Sequence, residues 1–406
     1  MDISYIKDKG RTLHFPALDP KKIKLQSQEE FNKKAKQDYF GASPNIFVGR
    51  FGYPNINVGI LNTEEYRQND EPLLWSRENY SIPKIIDLRT QLVNAQFKAN
   101  IKSINNPSNN SSTNKFLELS QELSLSQKPV DIEINLSKKP NFSLTLNREE
   151  APHGCNIELR KAQITENIKV PTKVDKIVSD TDVKAVAALQ ELYTAGFDEH
   201  YLTKIVSTGN LGVKTQRKLV PTRWSITLTD DTIGKTLIKQ IKDYNQLDCY
   251  KAYFGGHLGN YYLILFFPNE WQYELFETII SEKTSFATDY EDYYGRKEYA
   301  SSTVGGYYAA RLAILEKLQQ TKKQASILTL RFVDPNEYIA PLGVWVVREA
   351  TRKAVAAQPI EFEDKQTMLN YTLAFIKKRF NYDCSLQLKQ SILLDNLKKQ
   401  KKLFEF

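Results

Sequence analysis

The chain has 406 residues, 41% of them hydrophobic and 26% charged, an ordinary globular balance that excludes wholesale disorder. At roughly 100–200 residues per domain, the length points to two or three domains. Lys and Arg number 56 against 48 Asp and Glu, a net charge of +8; this permits a polyanionic partner but is too small a surplus for a histone-like binder.

Residues 1–40 read as a polar, Lys-rich arm broken by Pro16 and Pro20. Residues 43–63 are dense in Gly, Pro and Asn and read as loop between short apolar pieces. The spacing of Ile85, Leu88, Leu92, Val93 and Phe97 predicts a helix over 81–99. Ser103–Asn114 is a low-complexity loop, while Val130–Leu136 and Phe142–Leu146 alternate like paired strands. Asp182–Phe197 reads as a helix, with Asp180 or Thr181 to cap it and Gly196 to end it. A strand over Arg223–Leu228 and an amphipathic helix over Thr232–Tyr244 follow. Cys249–Phe254 and Asn260–Phe267 read as strands joined by the glycine-rich turn 255–259. Tyr307–Leu318 is a helix, Ala325–Val333 and Gly343–Val347 are strands, and Asp364–Phe380 and Lys389–Lys399 are helices. Strands and helices mix without a βαβ rhythm, so the fold class is α+β, or mixed α/β. The acidic, tyrosine-rich stretch Thr288–Tyr294 gives way to Gly295-Arg296-Lys297. The expected organisation is an arm (1–40), a large domain (41–295), a shorter one (296–397) and a tail (398–406).

No metal site is expected: Cys155, Cys249 and Cys384 lie far apart, as do His14, His153, His200 and His257, and no pair has ligand spacing. Few cysteines fit a reducing cytoplasm. The first residues lack the apolar core of a signal peptide, and the longest apolar run, Tyr261–Pro268, is too short to span a bilayer, so no membrane partner is expected.

The densest chemistry lies in Ser207–Asp231. Glycine-flanked backbone N–H groups, hydroxyls and cations are what a phosphate needs. That makes Ser207, Thr208, Gly209, Asn210, Lys214, Arg217 and Arg223 candidates to bind a nucleotide or DNA, with Trp224 to stack a base. The alternative is a basic surface loop leading into a core strand, with Trp224 packed inside. Gly234-Lys235-Thr236 imitates the end of a P-loop, but the required first glycine is Thr229, so a P-loop is rejected. Gly305, Gly306 and Tyr307 open a helix after Ser301, Ser302 and Thr303, a second anion-site pattern or a capped, closely packed helix. Arg348 beside Glu349 is a further binding candidate or a plain ion pair. His257 in its glycine turn, with Asp230, Asp231 and Glu349, could serve as acid–base groups; an exposed turn histidine is the plain alternative. No cofactor can be named.

The sharpest motif is the last seven residues, Gln400-Lys401-Lys402-Leu403-Phe404-Glu405-Phe406. A sliding-clamp-binding peptide carries Gln, an aliphatic residue three positions on, and aromatics three and four beyond that. Glutamine fills a small polar pocket while a one-turn 3₁₀ element sends the apolar side chains into a cleft. Gln400, Leu403 and Phe406 occupy the first three of those positions. The sequence stops before the second aromatic, so either Phe404 folds in as a substitute or affinity is reduced; the plain alternative is a frayed helix end whose Leu403, Phe404 and Phe406 dock on the chain's own body.

Six blocks together resemble the archaeal Nre family of DNA-repair-associated proteins: residues 48–59 (VGRFGYPNINVG), 128–136 (KPVDIEINL), 207–227 (STGNLGVKTQRKLVPTRWSIT), 258–274 (LGNYYLILFFPNEWQYE), 299–318 (YASSTVGGYYAARLAILEKL) and 340–349 (APLGVWVVRE). The resemblance covers most of residues 40–406. It implies the family's N- and C-terminal domains and a cytoplasmic archaeal protein of the DNA-damage response, working with a PCNA-type clamp. Many members begin with a cysteine-rich, zinc-finger-like segment; residues 1–40 contain no Cys. Three functions remain open: a clamp-recruited repair factor binding DNA or a nucleotide, a nucleotide-dependent transferase or phosphoesterase, and a clamp adaptor without chemistry.

Overall fold

The computed structural model describes Asn32 and residues 35–107, 109–141, 152–281 and 285–399. Two compact units divide these residues, meeting in sequence between Ile233 and Gly234, with residues 340–342 belonging to the first.

The first unit is built on a closed five-stranded barrel of order β1-β2-β3-β5-β4. Its strands are β1 (Asp38–Val48), β2 (Asn55–Thr63), β3 (Val93–Asn100), β4 (Val130–Leu136) and β5 (Asn156–Ile164). All neighbouring pairs are antiparallel except β3 with β5, which run parallel. Two helices, α1 (Pro72–Arg77) and α2 (Ile82–Thr90), interrupt the β2–β3 connection, and α3 (Ser111–Ser124) lies between β3 and β4. A closed 1-2-3-5-4 barrel with parallel β3 and β5 and a helix between β3 and β4 is the arrangement of the OB fold. Alternation explains the barrel. Ile46, Val48, Ile56, Val58, Ile60, Val93, Ala95, Phe97 and Ala99 fill its interior together with Ile132, Ile134, Ile157 and Leu159.

Residues 43–63, expected as loop, are therefore two core strands. The glycines and prolines concentrate in the short turn between them. The helix expected over 81–99 ends at Thr90, and Val93–Asn100 is strand. Ile85 and Leu88 are core residues of the helix, whereas Val93 and Phe97 point into the barrel. The expected loop over 103–114 ends in helix α3, whose Asn110 cap accepts from Ser112 N (3.0 Å) and Thr113 N (3.3 Å). Phe142–Leu146 lies outside the described residues.

Three helices follow, α4 (Thr172–Ser179), α5 (Ala185–Thr194) and α6 (Glu199–Ser207), and then α7 (Thr222–Ile241). The strand expected over Arg223–Leu228 is the start of α7. Its β-branched and aromatic residues mimic a strand locally, but they continue into the helical pattern read for 232–244.

The second unit holds a six-stranded sheet of order β11-β6-β7-β10-β8-β9. Its strands are β6 (Tyr250–His257), β7 (Asn260–Phe267), β8 (Gln272–Ile279), β9 (Ser285–Glu291), β10 (Ser326–Val333) and β11 (Ile360–Phe362). The β6–β7 turn is only Leu258-Gly259, both at positive φ (51° and 72°), the backbone a two-residue hairpin demands. The helices are α8 (Gly305–Thr321), α9 (Trp345–Ala356), α10 (Lys365–Phe380), α11 (Ser385–Gln390) and α12 (Ile392–Lys399). The strand expected at Gly343–Val347 is corrected to the start of α9: Trp345, Val346 and Val347 are buried in a helix that packs on β6 and β7. The single helix expected over 389–399 is two, broken at Ser391. One sheet face packs its Leu263, Leu265, Leu328 and Leu330 against Met368 and Ile376 of α10 and Leu393 and Leu394 of α12. The other face buries Tyr262, Ile264, Phe266, Leu275 and Ile327 around the ion pairs described below. Among the described residues no helix is long and apolar enough to cross a membrane.

Candidate nucleic-acid interface

One end of the barrel gathers two of the sequence blocks. The β1–β2 turn, residues 49–54, is closed by Gly49 N–H to Asn57 O (2.8 Å) and Asn55 N–H to Gly52 O (2.9 Å). This turn holds two aromatic rings in solvent, with Phe51 60% and Tyr53 38% exposed. The Arg50 guanidinium lies 5.0 Å from the centroid of the Phe51 ring, a cation–π contact. Tyr53 is seated on Trp224, ring centroids 5.4 Å apart. Val48 N–H donates to Thr222 Oγ1 (2.9 Å), so the start of α7 is fastened to the barrel beside the turn. Pro54 O accepts from Ile101 N (3.0 Å), and Ile101 O accepts from Leu219 N (2.9 Å). Asn105 Nδ2 donates to Arg217 O (2.7 Å). These bonds carry the basic segment 214–223 to the end of β3, next to the aromatic turn. Lys98 and Lys102 are exposed there; Lys214, also exposed, donates its backbone N–H to Thr181 O (2.8 Å), between Asp180 and Asp182.

The outward faces of β2 and β3 continue from this end. Opposite the buried alternation stand Asn55, Asn57, Gln96, Lys98 and Asn100, with Asn55 facing Asn100 and Asn57 facing Lys98 across the ladder. Asn100 Nδ2 donates to Asn55 Oδ1 (2.8 Å), and Gln96 Nε2 to Asn156 Oδ1 (3.0 Å). Neither strand contains a carboxylate, whereas β4 exposes Asp131 and Glu133.

The candidates of the Ser207–Trp224 block separate into two groups. Ser207, Thr208 and Asn210 are buried and belong to the fold. Thr208 Oγ1 and Ser124 Oγ share a bond of 2.7 Å, and Asn210 Nδ2 donates to Ser124 Oγ (2.8 Å) and Gln121 O (2.9 Å). Gly209 adopts φ +72°, and a Cβ there would meet Lys218 O at 2.6 Å, so glycine serves a tight turn. Arg217 donates to three backbone carbonyls, Gly212 (2.8 Å), Val178 (2.8 Å) and Asp180 (3.2 Å); burial lowers its pKa. Trp224 is 7% exposed beneath Tyr53. Lys214 is exposed and Arg223 half-buried on the first turn of α7. The rings placed for stacking are Phe51 and Tyr53, which the sequence reading passed over. The signal was present in Arg50-Phe51-Gly52-Tyr53-Pro54, two aromatics alternating with turn residues.

Asp230 and Asp231 are buried on α7 in the first unit; His257, Gly305, Gly306, Tyr307, Arg348 and Glu349 belong to the second. His257 is the last residue of β6, 8% exposed, and not in an exposed turn. Its Nδ1 lies 3.1 Å from Lys353 Nζ and its ring 6.3 Å from that of Trp345, both on α9. Burial, then the Lys353 charge, pull its pKa down to about 4, so it is neutral near pH 7. Glu349 pairs with Arg352 (2.6 Å), which also holds Glu316 (2.8 Å). Arg348 is buried on the same helix.

Gly306 starts α8 against that second sheet face, where a Cβ would stand 2.5 Å from Glu277 Oε1. Glu277 pairs with Arg331, whose Nη2 also donates to Asn260 Oδ1 (2.6 Å). Glu291 pairs with Arg311 (2.7 Å). Tyr307 is fully buried, its ring 4.9 Å from that of Tyr273. This opening of α8 is thus a closely packed helix start over buried ion pairs. Among the described residues no group of three His, Cys, Asp or Glu is placed to hold a metal ion. The tail, Gln400–Phe406, lies outside the described residues.

The class of protein so defined is an α+β chain whose first unit carries an OB-type barrel with aromatic and basic residues at one rim. The chain belongs to the archaeal Nre family: its N-terminal domain matches residues 20–286 and its C-terminal domain residues 291–406. The chain is 33% identical to the DNA repair protein NreA of Haloferax volcanii, over 89% of this chain and 90% of that one. It is 32% identical to the DNA repair protein NreB of Archaeoglobus fulgidus, over 99% of both. With NreA of Archaeoglobus fulgidus the identity is 37% over 79% of this chain and 80% of that one. No solved structure matches the chain. Membership of a family whose named relatives are DNA repair proteins supports a role in DNA repair.

Proposed function

We propose that this chain is a DNA-repair protein that binds DNA at the β1–β2 rim of its barrel and is recruited by the sliding clamp through residues 400–406. The observation that carries DNA binding is the convergence of Phe51 and Tyr53 with Lys98 and Lys102 at one end of two strands that hold no carboxylate. Cations that neutralise phosphates release counterions and dominate affinity; aromatic rings add contacts to bases. Recruitment rests on Gln400, Leu403 and Phe406, with Lys401, Lys402, Phe404 and Glu405 between them, in clamp-peptide order. A short motif of this kind docks by its apolar anchors.

Two titrations test the proposal. The full chain should bind the clamp of its own host, and a chain ending at Lys399 should not. Lys98→Glu with Lys102→Glu should weaken binding of any DNA and flatten its salt dependence by about two counterions. Equal clamp binding by both chains would overturn recruitment by the tail. Unchanged DNA affinity and salt slope would overturn the rim as the DNA site.

A further inference from the structure

We infer that the DNA bound at this rim is single-stranded, with Phe51 and Tyr53 stacking on unpaired bases and the amide strip of β2 and β3 lying along the strand. This inference rests on the proposal that the rim binds DNA.

Three features favour a single strand. A duplex buries the faces of its bases and offers grooves and phosphates, so an aromatic ring held in solvent gains little from it. Phe51 is 60% exposed on a turn tied down at both ends, Gly49 N–H to Asn57 O and Ile101 N–H to Pro54 O. It is a ring presented to solvent on a fixed backbone, which limits the ordering cost of stacking. Duplex readers commonly place a helix or ribbon in the major groove. Here the nearest helix start, Thr222-Arg223-Trp224, is fastened to the barrel by Thr222 and covered at Trp224 by Tyr53, so it is not presented as a reading head.

The chemistry of the strip beyond the rings points the same way. Asn55, Asn57, Gln96 and Asn100 carry both donors and acceptors, which suit the mixed edges of unpaired bases. Lys98 stands among them, opposite Asn57, as a cation for the backbone. β2 and β3 themselves hold no acidic side chain; the exposed Glu158 of neighbouring β5 stands opposite Gln96, away from the turn, so the end of the strip that carries the rings meets no like charge from these strands. Strands 2 and 3 with the β1–β2 turn are also the surface that barrels of this topology use for oligonucleotides, an analogy of fold that the residues above make specific.

The test is fluorescence anisotropy of the full chain with a labelled 12-nucleotide mixed-sequence single strand and with the same sequence as duplex. The single strand should bind at least about ten-fold tighter. Phe51→Ala should remove about ten-fold of the single-strand affinity and leave duplex affinity unchanged. Because Tyr53 covers Trp224, Tyr53→Ala can disturb the fold, so Phe51→Trp supplies a second readout. Its added indole emission, measured against the wild type, should be quenched by the single strand and unaffected by the duplex. Equal or tighter duplex binding, with Phe51→Ala silent, would overturn the inference while leaving DNA binding in place. Binding of neither form would overturn both. Tighter binding of an RNA of the same sequence would overturn the assignment to DNA.

Discussion

The start of helix α12, which leads to the C-terminal motif, is held by one buried carboxylate. Glu274 on β8 is fully buried and accepts from Ser391 Oγ (2.5 Å), Ile392 N (3.1 Å) and Leu393 N (3.1 Å). It acts as a helix cap supplied by a distant strand, satisfying donors that the first turn leaves without partners. Burial raises its pKa despite these bonds, so desolvation of the charge outweighs the bonds that favour it. Two substitutions should then differ. Glu274→Gln sheds the charge and keeps one acceptor oxygen, but its amide NH₂ must face one backbone N–H. One unsatisfied buried donor costs about 1–3 kcal/mol, and relief of the buried charge offsets part of that, leaving roughly 1 kcal/mol. Glu274→Ala removes both oxygens, leaves two backbone N–H groups and the Ser391 hydroxyl without this acceptor, and opens a cavity; the cost should be about 3–5 kcal/mol. Urea denaturation would give the stabilities, and hydrogen exchange at Ile392 and Leu393 would localise the effect. Protection at those amides should fall sharply in the alanine variant and slightly in the glutamine variant. Equal stability of the two variants, or unchanged exchange at α12, would refute this reading of the cap.

The ion pair Arg331–Glu277 is buried on both sides. Arg331→Met should therefore cost about 3–5 kcal/mol by leaving the Glu277 charge uncompensated, while Arg331→Met with Glu277→Gln should recover most of that; a thermal-melt cycle in which the double variant is as unstable as the single would contradict it. In the barrel unit, Lys204 is buried with its Nζ 2.6 Å from Ser126 O, and burial lowers its pKa to about 8. Its folded pKa lies below the unfolded value near 10.4. The unfolded chain therefore binds the extra proton between these values, and stability contributed by Lys204 rises with pH from about 8 to 10. Relative to Lys204→Met, the wild type should gain about 2 kcal/mol over that window, read by denaturation at each pH; parallel curves would refute it.

Much of the second unit was legible in the sequence because its elements keep one clean period each. Ala325–Val333 reads as a buried strand and Asp364–Phe380 as a helix, and both stand within a residue of those bounds. The barrel was legible only in β4, Val130–Leu136, which stands at the bounds read for it. Its first two strands carry glycine, proline and asparagine, and what makes them strands is pairing with β3 and β4, which no local pattern contains. Two helix starts read as strands: Trp345–Val347 because a buried helix shows no amphipathic period, and Arg223–Leu228 because its β-branched and aromatic residues mimic a strand locally. The site divided similarly. Residue chemistry found the basic segment around Lys214, but only the barrel shows that Ser207, Thr208 and Asn210 are interior and that Phe51 and Tyr53 are presented beside it.

A role in DNA repair through the rim and the clamp motif is read out in living cells. The most direct measurement is survival after DNA damage of a host lacking the chain, complemented with the full chain, with Phe51→Ala, or with a chain ending at Lys399. The full chain should restore survival, and both altered chains, expressed to the same level, should fall well short. Full restoration by both altered chains, or a host no more sensitive without the protein, would contradict it.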